Sequence, residues 1–251
     1  MLNLTPEYRE FPFPHLIYKD FIRDEERLDY LSNNEELSSV MASREDLGDL
    51  ERIEIGRFMK GKYSYDLRKA NPFSNDFKSK VGQILRWIEN CGTLRSQVKK
   101  HFVPHFEREY EGFDEDFKQM MVSYGSYNAT EKPLNLIGWH LDNGKKLCSG
   151  FIYLREDGDD ADDGHLFLSD GYRSEKVEYE NNLMVIWPNL PNAWHMAGVR
   201  QPTKHLRRII NIVYESDKTY HDYRTERSSE VVNDKELYSH KQFGFKEVNK
   251  L

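Results

Sequence analysis

Apolar positions along this chain follow two different periods, and the change falls near Tyr110. Before it the spacing is mostly helical: Phe77, Val81, Ile84, Leu85 and Ile88 recur every three or four residues and predict an amphipathic helix from Ser74, with Ser74 or Asn75 as N-cap. Gly92 interrupts that pattern. Leu94, Val98 and Phe102 mark a second helical piece, which Pro104 is expected to stop because proline has no amide N–H to donate. Nearer the start, the apolar run FPHLIYKDFI (Phe13 to Ile22) predicts a strand, and Leu28, Tyr30 and Leu31 form a helical stripe within the charged stretch Arg23 to Glu36. Residues 37–70 are polar and mixed, with no clear period, and read as a loop that could reach an active site.

After Tyr110 the chain turns to short apolar and β-branched runs separated by Gly, Asn, Asp and Pro: MMVSYG, NLIGWHLD, SGFIYL, HLFLSD, LMVIWP, WHMAGV and RRIINIVYE. Seven short strands with turn residues between them predict a sandwich or barrel rather than a parallel sheet with helical crossovers. The tail from Ser216 is polar, with Tyr220, Tyr223, Tyr238 and Phe243 scattered through it, and no internal repeat is present.

Composition narrows the classes open to such a fold. The 251 residues are 38% hydrophobic and 31% charged and include 14 Phe and 15 Tyr, enough for an aromatic-rich core that folds without staples. A net charge of −7 makes nucleic acid and anionic membrane surfaces poor first partners. Two cysteines, Cys91 and Cys148, are too few for a disulfide framework or a four-thiolate zinc site and fit a reducing compartment. With neither a basic, apolar leader at the start nor a membrane-length apolar run, the expected location is cytoplasmic.

The candidate chemistry begins at Trp139-His140-Leu141-Asp142. On a strand, residues two apart share a face, so His140 and Asp142 could serve one metal. His195, in a later apolar strand, could supply a third ligand, and two imidazoles with one carboxylate leave the remaining octahedral positions open for co-substrate and dioxygen. A lone HxD is weak evidence; its order with a distal histidine and a following basic residue makes it stronger. In LRRIINIVY, alternation puts Arg207, Asn211 and Val213 on one face and Arg208, Ile210 and Ile212 on the other. Only one arginine can therefore point inward, and a buried guanidinium needs an anionic partner such as a carboxylate.

Residues 117–216 resemble the catalytic core of the iron(II)/2-oxoglutarate oxygenases, specifically the prolyl-hydroxylase-like branch. The resemblance is carried by NLIGWHLD, GFIYL, DGHLFL, NLMVIWP and WH…LRRIINIVY, and by the opening FPFPHLIYKDFI. It implies a mainly β, α+β architecture: a double-stranded β-helix (a cupin-like jelly roll) in one oxygenase domain, with an N-terminal strand and supporting helices over 1–110, the core over 111–216 and a polar tail over 217–251. It further implies Fe(2+) held by His140, Asp142 and His195, with 2-oxoglutarate as co-substrate and ascorbate as a further candidate. The distal carboxylate of 2-oxoglutarate would pair with Arg207 and Tyr153. Leu166, Asn211 and Tyr124 would line the same pocket, with Tyr127 a rival to Tyr124. The implied reaction is hydroxylation of an unactivated C–H bond with release of succinate and carbon dioxide. Substrates in view are a prolyl residue of a protein or peptide, or a free amino acid, sugar or other small metabolite. Competing readings are a non-catalytic β-barrel binding module, a nucleic-acid demethylase, which the acidic charge disfavours, and zinc hydrolysis through the same three ligands, which would leave Arg207 and Tyr153 unexplained. The sequence does not indicate an oligomeric state.

Other chemistry-bearing residues read as structural. The acidic run from Glu156 to Asp163 lacks the spacing of a calcium loop and is expected to be a solvated hairpin connection. His101 and His105 lack an acidic partner of zinc-site type. His165 points out if Leu166 points in, and Trp139 and Trp194, each next to a candidate ligand, should face away from the metal. Cys148, Ser149 and Ser123 sit in no nucleophile-elbow pattern.

Overall fold

The computed structural model describes residues 1–34, 62–66, 80–114, 117, 119–127, 134–142 and 144–220. In chain order the strands are β1 (Glu7–Arg9), β2 (His15–Tyr18), β3 (Lys62–Asp66), β4 (Gln119–Tyr127), β5 (Leu134–His140), β6 (Lys146–Leu154), β7 (Leu166–Ser169), β8 (Ser174–Val177), β9 (Met184–Pro188), β10 (Trp194–Arg200) and β11 (Arg207–Glu215). The helices are α1 (Glu25–Asn33), α2 (Lys80–Glu89) and α3 (Gly92–Glu109). Among the described residues there are two sheets, β1-β2-β9-β6-β11-β4-β3 and β5-β10-β7-β8. Every strand pairing in them is antiparallel.

The central strands of the larger sheet are apolar nearly throughout because both of their faces are covered. Ile210, Ile212 and Tyr214 stand opposite Ile152, Gly150 and Cys148 in the β11–β6 register. This face packs toward the helices: Val81, Ile84, Leu85 and Ile88 of α2 and Leu94, Val98, Phe102 and Phe106 of α3 share one buried cluster with it. The same face continues onto β2, where the Tyr18 hydroxyl donates to Gln97 Oε1 of α3 at 3.2 Å. The opposite face, carrying Ser149, Phe151 and Tyr153 of β6 with Trp187 of β9, looks toward the smaller sheet. That sheet contributes Leu166, Leu168 and Ala197 to the same core, while Trp139, Phe167, Met196 and Trp194 cluster on its other side.

At Gly150, β6 and β9 leave no room for a side chain. A Cβ there would stand 2.5 Å from the Val185 carbonyl oxygen and 2.9 Å from Ile186 Cβ, both on a strand that cannot yield without breaking its own pairing. Gly150→Ala should therefore destabilise the protein by about 1–3 kcal/mol through overpacking. Urea denaturation measures this, and an unchanged midpoint would refute the close-packing account.

All seven strand-like runs after Tyr110 are strands. The structure adds β8, a polar edge strand of sequence SEKV, and it departs from the helical expectation at Pro104: α3 runs on through it to Glu109. The proline lies on the exposed side of the helix, so water can satisfy the carbonyl it leaves unpaired, while buried Phe102 and Phe106 keep the apolar stripe continuous across it. The strand β3 lies within the stretch read as a loop, and the expected N-cap at Ser74 or Asn75 lies outside the described residues, as do residues 221–251 of the tail. Described tail residue Tyr220 stacks on Tyr110 at 5.4 Å. Among the described residues no helix is long and apolar enough to cross a membrane.

Candidate metal centre

The β5–β10 pairing places His140 opposite His195, with ring centroids 4.2 Å apart. The register then slips between His195 and Ala197. Such bulges re-aim side chains at sheet edges, and here His140 comes at the very end of β5, with Asp142 two residues beyond it. One ligand atom from each of His140, Asp142 and His195 falls within 4.8 Å of the others, and all three residues are buried.

Each imidazole is locked by its own backbone. His140 Nδ1 lies 2.8 Å from the Gly138 carbonyl oxygen and His195 Nδ1 lies 3.1 Å from that of Ala193. A carbonyl can only accept, so Nδ1 carries the proton in both rings and each Nε2 offers a lone pair, the state in which histidine binds metal. Burial, together with the neighbouring His140, pushes the His195 pKa down to about 3, so that ring is neutral at physiological pH. Burial alone would raise the pKa of Asp142; the Lys146 ammonium, which both pairs with and donates to the carboxylate, outweighs it and holds the group well below its ordinary range. Lys146 Nζ donates to Asp142 Oδ1 at 2.5 Å and Ser149 Oγ to Oδ2 at 2.5 Å. Two neutral imidazoles and one ionised carboxylate form a donor set that suits a divalent first-row metal.

Beside this cluster the Trp187 ring lies 4.8 Å from His195 and 5.5 Å from Phe151, and its buried indole N–H has no hydrogen-bond partner among the described residues. A buried orphan donor is costly unless an acceptor reaches it, which fits a site that receives an oxygen-bearing ligand.

The opposite end of the same sheet face carries Tyr153 and Arg207. Four residues along β6 separate Ser149 from Tyr153, about 13 Å of strand. Arg207 is buried; its Nε donates to the Gly164 carbonyl at 2.8 Å, and its guanidinium lies 5.4 Å from the Tyr153 ring and 5.2 Å from the Tyr179 ring. Phe151 and Asn211 face each other across β6 and β11 between the two ends. From the smaller sheet, Leu166 sits between Gly164, beside Arg207, and Leu168, opposite His195. In the β4–β11 register Tyr127 stands opposite Arg207 and Tyr124 opposite Ile210; the side chains of both tyrosines lie outside the described residues.

Arg208 projects from the other face and is also buried, paired with Glu156 at 2.6 Å and donating to the Asn34 carbonyl. Only one arginine faces the space between the sheets, but neither is at the surface.

The acidic run corrects the sequence expectation of a solvated connection. Asp159 and Asp163 are buried and grip the fully buried Arg200, each at 2.6 Å, while Glu156 holds Arg208. The run closes over guanidinium groups from β10 and β11. His165 is likewise buried, on the outer side of its sheet, with Asp162 at 3.1 Å; its Nδ1 accepts from the Tyr179 N–H.

Sequence reasoning missed Lys146, Trp187 and Arg200, and weighed Ser149 only as a nucleophile. Strand parity held a usable signal, since Ser149 and Tyr153 are four apart on β6 and must share a face.

No protein-family model matches the sequence, and no curated protein matches it. Solved structures do. A prolyl 4-hydroxylase from Phytophthora capsici is similar with a TM-score of 0.51 at 15% identity, over 90% of this chain and 65% of that one. A prolyl hydroxylase from Trichoplax adhaerens, in complex with a hypoxia inducible factor peptide fragment, has a TM-score of 0.50 at 14% identity, over 80% of this chain and 83% of that one. The fold is shared with prolyl hydroxylases.

Proposed function

We propose that this chain is an iron(II)- and 2-oxoglutarate-dependent dioxygenase that hydroxylates an unactivated C–H bond. The observation that carries the proposal is the convergence of one ligand atom from each of two imidazoles and one carboxylate, from His140, His195 and Asp142, within 4.8 Å. Three protein ligands on one side of an octahedral ion leave positions for a bidentate co-substrate and dioxygen. Iron(II) with 2-oxoglutarate and dioxygen would supply the oxidising power, with succinate and carbon dioxide released as the substrate gains its hydroxyl.

The chain's own residues would do the binding and orienting. Arg207, held by Gly164 and flanked by Tyr153 and Tyr179, is suited to grip the far carboxylate of 2-oxoglutarate in a charge-assisted pair, with Tyr153 beside it. Leu166 and Phe151 would shield the methylene carbons from water, Asn211 would offer an amide to the same space, and the Trp187 N–H would find its acceptor on a ligand at the metal end. Register favours Tyr127 over Tyr124 as the β4 residue of this pocket. The strand orders β9-β6-β11-β4 and β5-β10-β7-β8 are those expected of a double-stranded β-helix, with residues 1–110 supporting a core over 111–216. For the substrate, the two fold neighbours favour a prolyl residue of a peptide or protein over a free small metabolite.

The test is formation of succinate from 2-oxoglutarate in the presence of iron(II), with prolyl peptides, free amino acids and sugars assayed as stimulants. Arg207→Met should raise the KM for 2-oxoglutarate by about 30-fold or more, the cost of truncating a buried charge pair. Absence of iron-dependent succinate, or an unchanged KM in the variant, would overturn the reading.

A further inference from the structure

We infer that Lys146 is a second cation of the metal centre and limits how tightly a divalent ion is held there. The inference rests on the metal-site reading above. Asp142 is the single carboxylate of the triad, and its two oxygens are divided between different partners. Oδ1 accepts from the Lys146 ammonium at 2.5 Å; Oδ2 accepts from Ser149 at 2.5 Å and faces His195 Nε2 at 3.6 Å. An ion bound by Oδ2 and the two imidazoles would therefore share one negative charge with the ammonium on the other oxygen of the same carboxylate, and like charges so placed repel strongly where water is scarce.

Position as well as charge sets this competition. Lys146 opens β6, and its carbonyl accepts from Asn189 Nδ2 at 2.8 Å, while the Asn189 carbonyl in turn accepts from the Tyr110 hydroxyl at 2.5 Å. The backbone is thus anchored where the side chain reaches back only four residues to Asp142. The Lys146 side chain is 27% exposed, so its charge is partly but not wholly screened. Ser149 touches the same carboxylate without a charge. The two neighbours are therefore predicted to act in opposite directions: the hydroxyl orients the ligand and aids metal binding, whereas the ammonium competes for its charge.

The experiment titrates the purified full chain with Mn²⁺ and reads the free aqua ion by electron paramagnetic resonance. Lys146→Met should bind Mn²⁺ about tenfold more tightly than the wild type, Lys146→Arg should stay within about threefold of it, and Ser149→Ala should bind about 10-fold or more weakly. Added salt should narrow the gap between Lys146→Met and wild type, because the ammonium is partly exposed. Equal or weaker binding by Lys146→Met would overturn the proposal, as would Lys146→Arg binding as tightly as the methionine variant. His140→Ala serves as the separate control. If it removes the Mn²⁺ site, the triad stands whatever Lys146 does; if Mn²⁺ binding survives it unchanged, the metal reading and this inference fall together.

Discussion

Asp142→Ala should abolish iron-dependent succinate formation and weaken Mn²⁺ binding by more than about 100-fold. Loss of a neighbour that merely supports a metal ligand costs about 10–100-fold in affinity, so loss of the ligand itself, and of the only charge it brings, must cost more. The alanine would leave two neutral imidazoles beside the Lys146 ammonium, turning a site that attracts a divalent cation into one that repels it. Folding should survive, because the charge lost is one whose burial the protein must otherwise offset and because Lys146 can turn to solvent. Anaerobic Mn²⁺ titration with a succinate assay and a thermal melt separates the possibilities. A variant that keeps turnover within about tenfold of wild type would remove Asp142 from the metal sphere, whereas one that loses turnover only with its melting transition would show a structural role.

The residues nearest this prediction were also those most legible in the sequence, for a geometric reason. Arg207 shares strand parity with Asn211 on β11, so local periodicity alone could assign them to one face, and the two-residue spacing kept Asp142 beside His140 even though β5 ends at His140. The strands after Tyr110 were legible because apolar runs between turn residues report burial directly. What escaped was whatever depended on distant partners. The run from Glu156 to Asp163 has six acidic residues in eight positions and looks solvated; only when Arg200 and Arg208 arrive from strands some forty to fifty residues later does it become a buried clamp. Lys146 was missed because nothing local announces a cation aimed at the carboxylate of Asp142. Pro104 misled because helix-breaking is weighed one residue at a time, whereas the stripe of Phe102 and Phe106 is fixed by packing on both sides of it. The polar strand β8 has no apolar alternation to see at all.

Arg200→Met should destabilise the protein by about 3–5 kcal/mol, the usual cost of removing one member of a buried ion pair, which at this chain length lowers the melting temperature by about 6–20 °C. Arg200 is 0% exposed and both carboxylates that hold it are buried, so no water shell waits to replace the guanidinium. Asp163 keeps the Gln201 N–H at 2.6 Å, and Asp159 keeps the Ala161 N–H at 3.3 Å and the Arg155 guanidinium at 3.8 Å, contacts that do not replace a guanidinium shared by two charges in a dry interior. Adding Asp159→Asn and Asp163→Asn to Arg200→Met should restore part of the loss, since it removes the stranded charges while keeping their shapes. If the triple variant is no more stable than the single, the cost lies in the methylene packing of Arg200 rather than in its charge. The same clamp bears on the proposed chemistry. Gly164, the residue after Asp163, supplies the carbonyl that fixes Arg207 and stands beside the Arg200 methylenes as well. Loosening Asp163 should therefore weaken 2-oxoglutarate binding even where the variant remains folded, and calorimetric titration of the co-substrate below the melting transition measures that coupling apart from stability.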